Sequence, residues 1–307
     1  GEPWWAGLRV TSAWPRAVAL LTPLDVDAVR LPHEIERWEE LGEGPRRELL
    51  AALAGTDALV AHLAALDSRP GLFDAVNARF SVAALFRAPD DEGLGPVLVL
   101  LARERAPGGA TFWSVSALRD RDDYRATRGL DEPLDLIRKL PGGAVERVSL
   151  LGVEYAPLPG DGHGWLTFHW TCDEPPAVDS VVRARATLEQ ERAVWHSDFG
   201  HGWDRVPATA WEPGRVLAEG RPCVVLDAGG ATGPQEAELW LALVLADGSG
   251  LRYYAALPGA DQPLHRGLKA GERETANGWR YDEEGFIRVA RFVLASREPR
   301  GNARGGR

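Results

Sequence analysis

Alternation of apolar and polar residues dominates the second half of the chain and predicts β-strands. In the segments 165–172 and 181–189, every even-numbered residue is apolar or cysteine. A period of two is that of a strand with one buried face. Further runs that we predict to be strands are 145–158, 215–219, 223–227, 237–246, 251–257 and 286–295. Short strands separated by turn signals, such as Asp247-Gly248-Ser249-Gly250, predict an antiparallel β-sandwich over 144–296.

Helical spacing of apolar residues is confined to the first half of the chain. The segment 45–66 repeats Leu and Ala with the period of a helix, and Gly55-Thr56-Asp57 divides it into two predicted helices. The other elements that we predict here are strands over 75–86, 97–104 and 112–118 and a short helix over 131–140.

These elements predict a small mixed α/β domain over 1–143. Together with the sandwich over 144–296, this domain makes the predicted fold class α+β. The polar segment 297–307 follows the last predicted strand. We expect it to be a disordered tail.

The composition excludes some functional classes. The chain has 35 Lys and Arg against 45 Asp and Glu, a net charge of −10. A protein that binds nucleic-acid phosphates normally has a basic face, so we expect no nucleic-acid partner. No apolar run approaches the roughly 20 residues of a membrane-spanning helix. The chain also lacks methionine and a signal-peptide pattern, so we expect a removed leader or the downstream part of a longer protein.

Cys172 and Cys223 are the only cysteines. Two cysteines cannot form a zinc site by themselves. We predict that both face the sandwich interior, either as two buried thiols or as one disulfide. A disulfide requires their Cα atoms to lie within about 7 Å.

The sequence VLDAGGATG at 225–233 resembles the cofactor loop of class I methyltransferases. The resemblance implies that Asp227 begins the loop and that Gly229 and Gly233 let the backbone approach S-adenosylmethionine. It also implies that Asp247 binds the ribose hydroxyls. The segment that follows is a better strand than the helix that this loop requires. We therefore keep the methyltransferase as an alternative function and expect no S-adenosylmethionine binding.

Several histidines could in principle bind a metal. His163 and His169 lie six residues apart, on the same face of a strand, and His196, Asp198 and His201 are neighbours in sequence. None has the spacing of a known ligand set, so we predict no metal site. We expect His169 to face solvent and 196–201 to form a polar loop. A nucleophile elbow is also absent from the sequence, and we predict no catalytic residue and no cofactor.

The loop at 207–214 has the sequence PATAWEPG, and an earlier strand at 150–155 has the sequence LLGVEY. These segments resemble the extracytoplasmic C-terminal β-sandwich of bacterial multi-pass membrane glycosyltransferases that use lipid-linked sugars, and of related glycan-assembly membrane proteins. The loop matches the Pro-Thr-Ser-x-Trp-x-Pro-Gly pattern of that family. Glu236, Glu238 and Leu241 replace the tyrosine and glycine of its later strand.

The first half is similar to the same group of proteins at LFDAVNARFSVAAL, residues 72–85. In those proteins such a strand follows the last membrane helices. The resemblance implies that the catalytic acidic loop lies upstream, so that no catalytic residue is carried onto this chain. It further implies an extracytoplasmic location, on the periplasmic or cell-surface side. A membrane tether would lie outside the chain, and the partner would be a glycan or a lipid-linked sugar.

The leading hypothesis is therefore a non-catalytic extracytoplasmic region of a membrane-anchored glycosyltransferase or glycan-assembly protein, which supports or recognises a glycan. A secreted carbohydrate-binding module is the first alternative, and the methyltransferase is the second. Exposed, coplanar Trp side chains would favour the binding module, whereas buried Trp side chains would argue against it.

Trp203 and Trp211 are the candidate glycan-contacting residues. Pro213-Gly214 predicts a type II turn, and Glu212 is extended because it precedes proline. This geometry lets Trp211 fold back over the open end of the sandwich. We favour such a structural plug over a sugar-stacking platform of Trp203 and Trp211, since large aromatic side chains bury much apolar area.

Overall fold

The chain divides into two compact units in the computed structural model. The first unit comprises Gly1–Phe112 and Leu158–His163, and the second comprises Trp113–Pro157 and Gly164–Arg307. The residues that the structure describes are 9–12, 27–30, 38–54, 57–87, 97–102, 110–128, 130, 133–158, 163–188, 193–224, 235–264, 280–282 and 284–294. The predicted tail over 297–307 lies outside these residues.

The first unit contains a mixed five-stranded sheet and, among its described residues, three α-helices. Its strands are β1 (Arg9–Ser12), β2 (Asp27–Arg30), β3 (Ala58–His62), β4 (Ser81–Arg87) and β5 (Val97–Ala102). Its helices are α1 (Glu43–Ala54), α2 (Leu63–Asp67) and α3 (Pro70–Asn77). The strand order is β2-β1-β3-β5-β4. β1 is parallel to β2 and β3, whereas β5 is antiparallel to β3 and β4.

Two predictions in the first unit need correction. The second helix predicted within 45–66 is β3 followed by α2, because residues 58–62 pair with β5 and complete the sheet. The strand predicted over 75–86 begins only at Ser81. The residues before it end α3, where Phe73 and Val76 are buried at helical spacing behind Pro70.

The second unit is an antiparallel β-sandwich. The strands of its larger sheet are β6 (Trp113–Ala117), β7 (Leu134–Lys139), β8 (Val145–Pro157), β9 (Gly164–Thr171), β12 (Arg215–Cys223) and β14 (Tyr254–Ala256). The strands of its smaller sheet are β10 (Ser180–Thr187), β11 (Ala193–Gly200), β13 (Gln235–Leu245) and β15 (Ile287–Leu294). The strand orders are β14-β7-β8-β9-β12-β6 and β11-β10-β13-β15. A short helix, α4 (Arg121–Arg128), lies between β6 and β7 in sequence.

One hydrophobic core is shared by the two sheets of the sandwich. The alternation predicted for β9 and β10 is confirmed, since the even-numbered residues of 165–172 and 181–187 lie in this core. The residues concerned are Leu166, Phe168, Trp170, Cys172, Val182, Ala184 and Ala186. Apolar area removed from water stabilises a fold by about 25 cal/mol per Å². The period-two pattern therefore fixes which face of each strand points inward, and the predicted α+β class with a sandwich is confirmed.

The sandwich begins earlier in the chain than residue 144, where the sequence placed it. β6 pairs with β12, and β7 pairs with β8, so both strands belong to the second unit. The predicted helix over 131–140 is therefore wrong: its residues 134–139 form β7. Leu134 and Leu136 lie in the sandwich core. Tertiary pairing with β8 thus overrides the helical charge pattern of this segment.

The expected polar loop over 196–201 is also wrong, because β11 extends to Gly200. Trp195 and Phe199 of this strand are buried in the core. His196 and Asp198 alternate with them and are exposed. The period of two was present in the sequence, but the glycines beside it favoured a loop.

Candidate functional site

The connection between β11 and β12, residues 201–214, forms the irregular end of the sandwich. Three successive residues in it are left-handed: Gly202, Trp203 and Asp204 have φ of 53°, 59° and 61°. Left-handed backbone is unfavourable for residues with a Cβ and persists only where the surroundings impose it. Here the Trp203 Nε1–H donates to the Gly220 carbonyl at 2.9 Å, and the Gly202 N–H donates to Glu219 at 2.6 Å. Both partners lie on β12, so this strand holds the turn in place.

The second part of the connection contains the predicted type II turn. The Arg215 N–H donates to the Glu212 carbonyl at 3.2 Å, and Gly214 has a φ of +73°. These are the bond and the conformation that a Pro-Gly type II turn requires. Before this turn, the Thr209 N–H and hydroxyl both donate to Asp179, at 3.0 and 2.8 Å. Hydrogen bonds therefore hold the 207–214 loop near both of its ends.

The two candidate glycan-contacting residues are buried. Trp203 is 6% exposed and Trp211 is 7% exposed. The Trp203 ring lies 4.1 Å from the Arg221 guanidinium, which also lies 4.2 Å from the Phe199 ring. The Trp211 Nε1–H donates to the Val206 carbonyl at 3.0 Å. This burial agrees with the predicted plug and does not provide the exposed coplanar pair that a stacking platform needs.

A buried chain of hydrogen bonds joins Ser180, His201 and Glu219. The Ser180 hydroxyl lies 3.1 Å from His201 Nε2, and His201 Nδ1 lies 3.1 Å from Glu219 Oε1. Burial alone raises the pKa of a carboxyl group. Interaction with His201 and Arg221, and the bond from the Gly202 N–H, outweigh burial and hold the Glu219 pKa below its ordinary value.

This Ser-His-Glu order is the one that serine hydrolases use for a nucleophile, a base and an orienting acid. Ser180 is only 3% exposed, however, and does not line the adjacent cavity. We therefore interpret the Ser180–His201–Glu219 hydrogen bonds as structural, because they join β10, the 201–214 connection and β12. The sequence analysis did not predict these hydrogen bonds, because the three residues lie on separate elements and share no short motif.

A cavity of about 410 Å³ lies beside these hydrogen-bonded residues, at the β12–β6 edge of the larger sheet. Its floor is a row of paired residues across three strands: Trp170 on β9 is opposite Leu217 on β12, which is opposite Val115 on β6. The residues that line the cavity are Val115, Trp170, Val206, Ala210, Trp211, Glu212, Arg215 and Leu217. Val115 is 52% exposed, so the cavity opens at this edge.

Two indole rings form the aromatic part of the cavity wall, and His201 fixes both. The His201 ring meets Trp170 edge to face at 5.3 Å and meets Trp211 edge to face at 4.7 Å. At the rim, Arg215 Nε lies 3.2 Å from Glu212 Oε2, and both side chains are exposed. The site therefore combines apolar aromatic walls with one exposed acid–base pair, a composition typical of small-molecule sites.

His163 and His169 do not meet at a metal site in the described part of the chain. His169 is fully buried, so its predicted solvent exposure is wrong. The reason is α4, whose Tyr124 hydroxyl lies 2.9 Å from His169 Nδ1, while Glu154 lies 3.5 Å from Nε2. His163 is buried as well. Within the described ranges, no three His, Cys, Asp or Glu side chains converge as metal ligands do.

The two cysteines face the sandwich core, as predicted. Of the two alternatives, the structure contains the buried free thiols. Burial raises the pKa of Cys172 to about 11 and that of Cys223 to about 12. Neither thiol therefore has the low pKa of a reactive cysteine.

The methyltransferase interpretation depends on the 225–233 loop and on the element that follows it. Asp227, Gly229 and Gly233 lie outside the described residues. The segment after them is β13 and not the helix that the cofactor loop requires. Asp247 lies in the predicted hairpin turn, where its carboxylate accepts a bond from the Ser249 N–H at 2.9 Å.

Comparison with known proteins assigns no family to the chain. No protein-family model matches it, and no curated protein matches it either. None of the helices in the described part of the chain has the length and apolar character needed to cross a membrane.

Proposed function

We propose that the chain is the non-catalytic, extracytoplasmic region of a membrane-anchored glycosyltransferase or glycan-assembly protein, and that it recognises a glycan. The observation that carries this proposal is the cavity walled by Trp170 and Trp211. Trp211 belongs to the 207–214 loop, which is also the segment that resembles the glycosyltransferase sandwich.

The chemistry of the cavity suits a sugar ring. Aromatic and aliphatic walls pack against the C–H faces of a sugar, while a few polar groups bind its hydroxyls. Val115, Trp211 and Leu217 supply the apolar contact, and the Glu212–Arg215 pair supplies a donor and an acceptor side by side. A volume of about 410 Å³ lies within the usual range for small ligands.

Calorimetric titration with a panel of monosaccharides and disaccharides tests this proposal. Val115→Trp should fill the mouth of the cavity and abolish binding, because Val115 stands at its open edge. The matched control is Val293→Trp, which alters a residue of similar exposure on β15. The control should bind like the parent. Absence of saccharide binding, or equal binding by both variants, would refute the proposal.

The membrane attachment is tested separately on the full-length gene product. Recovery of that product in the membrane fraction, with this region accessible to protease added outside the cytoplasmic membrane, is the expected result. Release of a soluble product into the medium would favour the secreted carbohydrate-binding module. Protection of the region from external protease would refute an extracytoplasmic location.

A further inference from the structure

We infer that the second unit contains an anion site at the β14–β7 edge of the larger sheet, and that this site binds a soluble phosphate monoester with a small apolar group. The site is a cavity of about 600 Å³, lined by the end of β7, by the residues around the start of β14 and by Pro263. In the strand order of this sheet, β14 and β6 lie at opposite edges. The site is therefore separate from the cavity at the β12–β6 edge and goes beyond the proposed glycan recognition.

The lining of this cavity is positively charged. The described residues that line it include three bases, Arg138, Lys139 and Arg252, and no acid. Arg138 is neutralised by the buried Glu146, which accepts from its guanidinium at 2.9 and 2.6 Å. Within the described part of the chain, Lys139 has no ion-pair partner, and the Arg252 guanidinium donates to the uncharged backbone carbonyl of Glu284. The described acids therefore leave two positive charges uncompensated, on a chain of net charge −10.

The strand register brings these two bases together. β14 and β7 pair antiparallel from Tyr254 onwards. Continuing this register by two residues places Arg252 opposite Lys139. The same continuation places Tyr253 opposite Arg138, and the Arg138 guanidinium does lie 5.7 Å from the centre of the Tyr253 ring. Like charges directly opposite each other on adjacent strands are destabilising, and a bound anion relieves this repulsion.

The Arg252 guanidinium is held in position before any ligand binds. Its Nη1 donates to the Glu284 carbonyl, and a Cβ at Gly285 would lie 2.3 Å from the same nitrogen. The glycine therefore permits the close approach of the guanidinium to the backbone. The carboxylates of Asp282 and Glu284 both accept from Arg185. Because a guanidinium has five N–H donors, Arg252 keeps donors for an anion, and its fixed position lowers the entropic cost of binding.

The charge and the apolar walls define the class of ligand. A phosphate monoester carries a charge of about −1.5 to −2 at neutral pH and has three acceptor oxygens, so it matches two positive charges better than a carboxylate does. Leu251 and Tyr254, which also line the cavity, are 58% and 42% exposed and are therefore accessible to a ligand. The tyrosine ring offers an aromatic surface to an apolar group next to the phosphate. The volume lies within the usual range for small ligands.

The first test is calorimetric titration of the intact chain with phenyl phosphate and with benzoate, which has the same ring but a single negative charge. Phenyl phosphate should bind at least about tenfold more tightly, because it can accept from Lys139 and Arg252 together. Equal or tighter binding of benzoate, or no binding of phenyl phosphate, would overturn the inference.

The second test removes the two charges one at a time. Lys139→Gln and Arg252→Gln should each weaken phenyl phosphate binding about tenfold, as expected for the loss of a charge-assisted hydrogen bond. Lys139 is exposed, so its replacement should leave the fold intact, and Arg252→Lys should bind more tightly than Arg252→Gln because it keeps the charge. The matched control is Arg119→Gln, which removes an exposed positive charge just after β6, at the other edge of the sheet. This control should bind like the parent; weakening equal to that of Lys139→Gln would indicate unspecific attraction and overturn the site.

Two further measurements separate the possible sources of the phosphate and the two proposals. Vesicles of phosphatidylcholine with phosphatidic acid present the same phosphate chemistry on a lipid, and we expect the chain not to co-sediment with them. Co-sedimentation that Lys139→Gln abolishes would overturn the soluble ligand. Lys139→Gln should bind saccharides as the parent does, because the cavity proposed for the glycan lies at the β12–β6 edge. Failure of the phosphate site would therefore leave the proposed glycan recognition standing, and the reverse holds as well.

Discussion

Replacement of Trp211 by Ala should destabilise the sandwich strongly. The side chain is 7% exposed, so almost all of its surface is removed from water on folding. An aromatic side chain of this kind buries about 150–250 Å², which at about 25 cal/mol per Å² corresponds to about 4–6 kcal/mol as an upper bound. Measured Trp→Ala changes in protein cores are about 3–5 kcal/mol. We therefore expect a loss of about 3–5 kcal/mol, which includes the bond from Nε1 to the Val206 carbonyl.

Urea denaturation followed by circular dichroism measures this change in the free energy of unfolding. Val293→Ala is the control, because Val293 is 57% exposed and its truncation should change the stability by less than about 0.5 kcal/mol. A Trp211→Ala variant that unfolds at the same urea concentration as the parent, but no longer binds saccharides, would refute the structural role. Trp211 would then be a stacking surface and not a plug.

Three further predictions concern buried groups and the methyltransferase alternative. Folding lowers the Glu219 pKa, so the carboxylate contributes stability above its unfolded pKa, near 4.5, and this contribution is lost as the pH falls through the lower folded pKa. The stability difference between the parent and Glu219→Gln should therefore be largest near neutral pH and shrink on acidification; a difference that grew towards low pH would contradict the assignment. Cys172 and Cys223 should both titrate as free thiols with a thiol reagent in the denatured, unreduced protein and react slowly in the folded one; a count of zero free thiols would mean that they form a disulfide. S-adenosylmethionine should show no calorimetric binding, and micromolar binding that Asp227→Ala abolishes would restore the methyltransferase interpretation.

The sandwich strands were predictable because their burial follows the period of two. The even-numbered residues of 165–172 face the core of the protein, as the alternation indicates. The Pro213-Gly214 turn was predictable for a local reason as well, since proline and glycine restrict the backbone independently of tertiary contacts. Where a local rule fixes the structure, the sequence was sufficient.

Elements whose structure depends on distant partners were not predictable in this way. Residues 134–139 have the charge pattern of a helix but form β7 because β8 pairs with them. Assigning β7 to a helix also misplaced the domain boundary. His169 was expected to be exposed, because the alternation places it on the side of β9 opposite the core. Tyr124 of α4 covers that side of the strand and buries His169.

The candidate site could be predicted only in part. The sequence singled out Trp211 but did not indicate that Trp170 on β9 borders the same cavity. That property depends on the pairing of β9 with β12 and β6 and on the geometry of the 201–214 connection. The Ser180–His201–Glu219 chain likewise joins residues on separate elements. Polar networks of this kind are set by tertiary structure, and no short motif records them.

A crystal structure of the chain with a bound neutral saccharide tests the central claim most directly. We expect electron density for one sugar ring in the cavity, packed against Trp211, Leu217 and Val115. The rim hydroxyls should contact Glu212 and Arg215. A saccharide bound elsewhere on the protein, with this cavity free of sugar, would contradict the account.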